Sequence, residues 1–120
     1  MITPWVLEMK AVSHQEPERL VRTLTGAILG LGGWVLSRGC SDTGKITMLF
    51  EFERHACLDI YSMLVATGVE LGANEHLRLT DLYRCTQDCI HAYGNEIASI
   101  ELEIVTSCQP VGPIPAVPVV

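Results

Sequence analysis

Apolar and polar residues alternate with period two in some stretches of this chain and recur at helical spacing in others, and the order of those stretches predicts a fold. Trp5, Leu7, Met9 and Ala11 share one side of an extended segment and Glu8 and Lys10 the other, so Trp5 to Val12 reads as a strand. Leu20, Val21, Leu24, Ile28 and Leu31 then recur at helical steps. Two start signals compete for that helix. Ser13-x-x-Glu16 has the form of a capping box, whereas Pro17 fits the first helical position. A cap at Ser13 would put Pro17 where the helix needs an N–H, so the helix is placed from Pro17, ending at Gly30, Gly32 and Gly33.

Trp34 to Arg38 is a second strand, and Ser41-Asp42-Thr43-Gly44 is turn chemistry. Lys45 to Glu53 carries the clearest alternation, with Ile46, Met48, Phe50 and Phe52 opposite Thr47, Glu51 and Glu53, and it completes a hairpin. A helix from His55 to Gly68 would bury Cys57, Leu58, Tyr61, Leu64 and Val65. Glu75 to Thr80 reads two ways. Leu77 and Leu79 alternate with His76, Arg78 and Thr80 as in a strand, or the same residues begin a long helix. Thr80-Asp81 is a good helix start, so the expectation is a short strand and then a helix over Asp81–Tyr93. That helix would have Leu82, Thr86, Cys89, Ile90 and Tyr93 on one side, and Ile97 to Thr106 follows as a last strand. Pro110, Pro113, Pro115 and Pro118 leave only an extended conformation for the tail. The expected organisation is one α+β domain over residues 1–108 and a Pro-rich extended tail over 109–120. Its antiparallel sheet would have helices on one face, with an extra C-terminal helix and strand.

Strand, helix, strand, strand, helix, strand is a ferredoxin-like order. Pro17-Glu18-Arg19-Leu20 opens the first helix, Leu29-Gly30-Leu31-Gly32-Gly33-Trp34-Val35-Leu36 passes from it into a strand, and Gly44 to Phe52 returns through the hairpin. Over residues 5–80 this arrangement resembles an ACT domain, a small regulatory ferredoxin-like module. The resemblance implies a non-catalytic regulatory or ligand-binding role and a homodimer paired through sheet edges or helices. It also implies a small-molecule ligand, such as an amino acid, near the loop that holds Ser13, His14 and Gln15. In that family a Pro-Gly pair opens the helix and the glycine admits the ligand to the backbone; here Glu18 stands in the glycine's place. The plainer reading of His14 is a solvated loop histidine.

With 120 residues, 48% of them hydrophobic and 18% charged, the chain is long and apolar enough for one core. Its formal net charge of −6, with only eight Lys and Arg, suits neither nucleic-acid phosphates nor an anionic membrane surface. No apolar run approaches the ~20 residues of a membrane span. Met1 to Trp5 lacks the start of a signal peptide, so a cytoplasmic location is expected. Five cysteines at irregular spacing fit reduced thiols better than a disulfide framework.

Three constellations invite chemical readings. Gly39 to Lys45 follows most of the phosphate-loop pattern, but Ile46 replaces the required Ser or Thr and a strand follows instead of a helix, so it reads as a hairpin turn. Cys85 and Cys89 would share a helix face with Cβ atoms ~5–6 Å apart, beyond disulfide reach. They read as buried thiols serving as small apolar groups, and no metal or cofactor is expected. Glu8, Glu51, Glu53, Glu101 and Glu103 would share one sheet face, either as a solvated surface or as a cation site. No catalytic residue is assigned. The rival classes are an assembly protein acting through its apolar tail and a small enzyme with a pocket between subunits.

Overall fold

The computed structural model describes residues 5–106. The expected boundary at residue 108, the tail over 109–120, Cys108 and the residues before Trp5 lie outside the described residues. Along the chain run β1 (Trp5–Ser13), α1 (Pro17–Gly30), β2 (Trp34–Cys40) and β3 (Lys45–Glu53). A 3-10 turn (Arg54–Ala56), α2 (Cys57–Ala66), β4 (Val69–Leu71), α3 (Ala73–Asp88), α4 (Ile90–Tyr93) and β5 (Ile97–Thr106) follow.

α1 starts at Pro17, as its sequence requires, but its cap is Glu16. The Glu16 carboxylate accepts from the backbone N–H of Arg19 at 2.8 Å and of Glu18 at 3.3 Å. At the other end Gly32 takes φ +88, the left-handed geometry of a helix terminator, and Gly33 N–H returns to the Ile28 carbonyl at 2.9 Å.

Among the described residues the five strands form one open sheet in the order β2-β3-β5-β1-β4. The expected antiparallel sheet is in fact mixed: β5 runs parallel to β1 from Trp5↔Ala98 to Ser13↔Thr106 and antiparallel to β3. A ferredoxin-like order would seat β3 beside β1; here β5 lies between them. Its inward residues Ala98, Ile100, Leu102 and Ile104 are all buried, which suits a strand paired on both edges. They complete rows with the neighbouring strands: Leu7–Ile100–Phe50, Met9–Leu102–Met48 and Ala11–Ile104–Ile46. Leu20, Leu24 and Ile28 of α1 and Cys57, Ile60 and Leu64 of α2 are buried in the same core. Each such side chain contributes roughly 1.5–3 kcal/mol of transfer free energy.

The structure corrects three expectations about the helices. In α2 the buried stripe is Cys57, Ile60 and Leu64, whereas Leu58 and Val65 face solvent. The two leucine-spaced sets differ by one position, and only packing selects between them. Glu75 to Thr80 is helical, not a strand. α3 buries Leu79, Leu82 and Thr86 at helical spacing and leaves Leu77 exposed, so the Leu77/Leu79 alternation carries no sheet. The short strand expected here is β4, a few residues earlier, too brief to show a period of its own. Finally, Cys85 and Cys89 are exposed instead of buried. α3 ends at Asp88, and Cys89 leaves helical geometry at φ −141 and ψ 58.

Among the described residues β4 pairs with Ala11, Val12 and Ser13 of β1. Further along that β1 edge α3 reaches two backbone groups: Glu75 accepts the Lys10 N–H at 3.4 Å and the Arg78 guanidinium donates to the Glu8 carbonyl. A strand edge left open invites pairing with another chain, and these side chains occupy two of its polar groups. Among the described residues no helix is long and apolar enough to cross a membrane.

Candidate functional site: the open sheet face

Because side chains alternate along a strand, the residues between the core positions project from the opposite face of the sheet. Register sets them in rows across β3, β5 and β1: Lys45–Val105–Val12, Thr47–Glu103–Lys10, Leu49–Glu101–Glu8, Glu51–Ser99–Val6 and, last, Glu53–Ile97. The five glutamates singled out in the sequence therefore share this face. A depression of about 420 Å³ lies over its centre, with Glu8, Lys10, Ser37, Thr47, Leu49, Glu101 and Glu103 in its lining and Glu75 of α3 at its rim.

Most of the carboxylates on this face have partners. Glu103 takes Lys45 Nζ at 2.9 Å, and that hydrogen bond holds its carboxyl below the usual carboxylate range. Glu51 accepts from Trp34 Nε1 at 3.0 Å and from Ser99 Oγ at 2.8 Å. Glu53 meets the His55 ring at 2.8 Å. Glu8 and Glu101 differ. They are in-register neighbours on β1 and β5, both exposed, and among the described residues neither carboxylate has a hydrogen-bond or ion-pair partner. Like charges directly opposite across strands are destabilising. The Lys10 ammonium group belongs to the next row of β1, so one positive charge borders the same hollow as the carboxylates of Glu8, Glu101, Glu103 and Glu75.

The loop residues expected to bind ligand are placed elsewhere. Ser13 is fully buried at the end of β1, and its Oγ accepts the Gln15 N–H at 3.1 Å. His14 is exposed, with Nε2 3.4 Å from Glu70. The Gln15 side chain lies where a Cβ on Gly68 would come within 3.1 Å of it. None of the three lines the depression on the sheet. Glu18, in the position of the family's glycine, borders a smaller groove of about 280 Å³ with Glu16, Asp42 and Cys40. There the Cys40 thiol is pushed up, first by desolvation and then by Glu18, Glu16 and Asp42. Gly39 to Lys45 is the tip of the β2–β3 hairpin: Ser41 to Gly44 makes the turn, with Gly44 at φ +84, and the Ser41 N–H donates to the Lys45 carbonyl at 2.9 Å. Among the described residues no group of three or more His, Cys, Asp and Glu side chains is arranged to hold a metal ion.

A second polar centre, invisible in the sequence, is buried. Arg54 is 6% exposed and its guanidinium lies between the rings of Trp5, 5.0 Å away, and Tyr93, 4.9 Å away. Its Nε donates to Thr86 Oγ1 at 3.1 Å and one terminal nitrogen reaches Glu96 Oε1 at 3.4 Å. The site ties β1, the 3-10 turn, α3, α4 and the approach to β5 together. Nearby, burial pushes the Cys57 thiol up to about 11, against a smaller opposing pull from Arg54.

Comparisons of the chain with family models, with curated proteins and with solved structures found no match.

Proposed function

We propose that this chain is a non-catalytic regulatory module that binds a small amine-bearing molecule, an amino acid or a related amine, in the depression on its open sheet face. The observation that carries this reading is the in-register, unpartnered pair Glu8 and Glu101. A positively charged nitrogen seated between them relieves their mutual repulsion and gains charge-assisted hydrogen bonds. Lys10, on the same wall, is a counter-charge for a ligand carboxylate. The hollow is open to water, where fixed charges are screened too strongly for the electrostatic stabilisation that accelerates reactions, so binding suits it better than chemistry. The chain order β-α-β-β-α-β up to β4 supports the likeness to ACT-type regulatory modules. The interposed β5 sets the sheet apart from them, and the ligand position proposed here differs from the loop at Ser13, His14 and Gln15.

Thermal-shift and calorimetric titration with amino acids, mono- and diamines, and their uncharged analogues test the reading. A ligand at ~100 times its Kd should raise stability by about 2.7 kcal/mol. The Glu8→Gln/Glu101→Gln variant should lose that response. No stabilisation by any amine in the set would reject the proposal.

A further inference from the structure

β2 is the outermost strand of the described sheet: one of its edges pairs with β3 and the other meets no strand. It has none of the prolines or lysines that blunt an edge, and it is exposed from Leu36 to Cys40. Its register shifts between Val35 and Ser37, so the regular stretch open to another strand is Ser37 to Cys40. Gly39 lies in that stretch, although the described chain gives it no need of a glycine. Its φ is not positive, and a Cβ there would meet only Thr47 Oγ1, at an ordinary 3.6 Å. Glycine inside a strand weakens it and marks a bulge or the close approach of another backbone, and the bulge is elsewhere.

A groove of about 310 Å³ between α1 and β2 is lined by Glu18, Val21, Arg22, Arg38, Gly39 and Cys40. Its charge is divided along its length. Arg22 and Arg38 hold the half nearer Thr25, whose hydroxyl accepts from Arg38 at 2.9 Å. Glu18 holds the hairpin end, where it shares the adjoining groove with Asp42. Among the described residues none of these four charges has an ion-pair partner. Glu16, the third carboxylate at that end, is held by the two N–H groups it caps. A two-fold axis perpendicular to the sheet and beside Gly39 sets a second β2 antiparallel to the first. Gly39 then lies opposite the partner's Gly39, Arg38 opposite the partner's Cys40 and Ser37 opposite the partner's Ser41. α1 starts beside the Cys40 end of β2 and ends just before Trp34, so the same axis runs the two helices past each other in opposite senses. The basic half of each groove meets the acidic half of the other: Arg22 and Arg38 face the partner's Glu18 and the partner's Asp42.

We infer that the free edge of β2 and the flank of α1 beside it form an interface with a second copy of this chain, in which the sheets join edge to edge through Ser37 to Cys40 and the unpaired charges of the two grooves pair reciprocally. Such an isologous contact is the commonest form of homodimer. Main-chain hydrogen bonds along the joined edge supply the adhesion, and the divided charge fixes the register and the partner. The contact is independent of the amine-binding reading, since of its residues only Ser37 borders the depression on the sheet.

Sedimentation velocity on the full chain tests this, with circular dichroism to verify that each variant folds. The wild type should dimerise, and more weakly as salt is raised. Arg22→Glu/Arg38→Glu makes both halves of the groove acidic, and Glu18→Arg/Asp42→Arg makes both basic. Each variant alone should dimerise at least tenfold more weakly than the wild type, and an equimolar mixture of the two should recover the dimer, because their charges are then complementary. Should either of them fail to fold, Gly39→Glu gives the same test: a Cβ has room there, and the change sets two carboxylates opposite each other across the axis, so it too should weaken the dimer at least tenfold. A wild type that stays monomeric at every concentration overturns the interface. So does a dimer that these variants leave unchanged, or a mixture that associates no more tightly than its parts.

Discussion

Replacing Arg54 should reveal how much of the fold depends on one buried charge. Arg54→Ala removes a guanidinium that is enclosed by two aromatic rings, donates to Thr86 and reaches Glu96. Hydrogen bonds to charged groups are worth about 1.5–3 kcal/mol, and the 3.4 Å reach to Glu96 puts this one near the lower end. Each ring contact adds about 0.5–1 kcal/mol at an exposed site and up to ~2 where it is desolvated. The Glu96 side chain keeps 22% of its exposure, so water partly relieves the stranded carboxylate. Breaking a buried pair by deleting one partner typically costs about 3–5 kcal/mol, and the exposure of Glu96 favours the lower half of that range. Urea unfolding followed by tryptophan fluorescence should therefore show a loss of about 3–4 kcal/mol for Arg54→Ala. Arg54→Met keeps the aliphatic stem between the rings and should lose about half as much, and a cycle with Glu96→Gln should give a coupling of about 1 kcal/mol. A loss below about 1 kcal/mol for Arg54→Ala would refute the claim that this cluster holds α3, α4 and β5 to β1.

Three further outcomes follow from local geometry and burial. A Cβ on Gly33 would come within 2.8 Å of the Glu51 carbonyl oxygen and 2.9 Å of Ile28 Cγ2, so Gly33→Ala should destabilise by about 1–3 kcal/mol. Gly26, inside α1 with no heavy atom within 4 Å of a new Cβ, should gain up to about 1 kcal/mol on the same change; equal denaturation midpoints for the two variants would contradict this. The buried Cys57 thiol stays neutral in the folded state up to about 11, whereas in the unfolded chain it ionises from about 9.0. Its contribution is complete below pH 9.0 and is lost as pH rises through about 11, a total loss of order 2–3 kcal/mol that Cys57→Ala should abolish. Peptide mapping after brief alkylation of the native protein should label Cys40, Cys85 and Cys89 well before Cys57.

The sequence by itself determined the elements whose pattern records their own environment. β1, β3 and β5 bury every second residue, so alternation marked them along with their inward faces. Pro17 and the glycines after Ile28 marked the ends of α1, because proline and glycine constrain dihedrals locally. That Glu8, Glu51, Glu53, Glu101 and Glu103 share a face was legible for the same reason. Which of them are neighbours was not. Pairing β5 with both β3 and β1 is a choice among long-range contacts, and period-two hydrophobicity is satisfied by any order of strands. The stripe of α2, the helical state of Glu75 to Thr80 and the existence of β4 were likewise decided by packing, since each depends on what lies opposite. The Arg54 cluster draws on residues from Trp5 to Glu96, and no local spacing announces it. Only the tertiary structure set Glu8 beside Glu101, because cross-strand adjacency is a property of register, not of either strand alone.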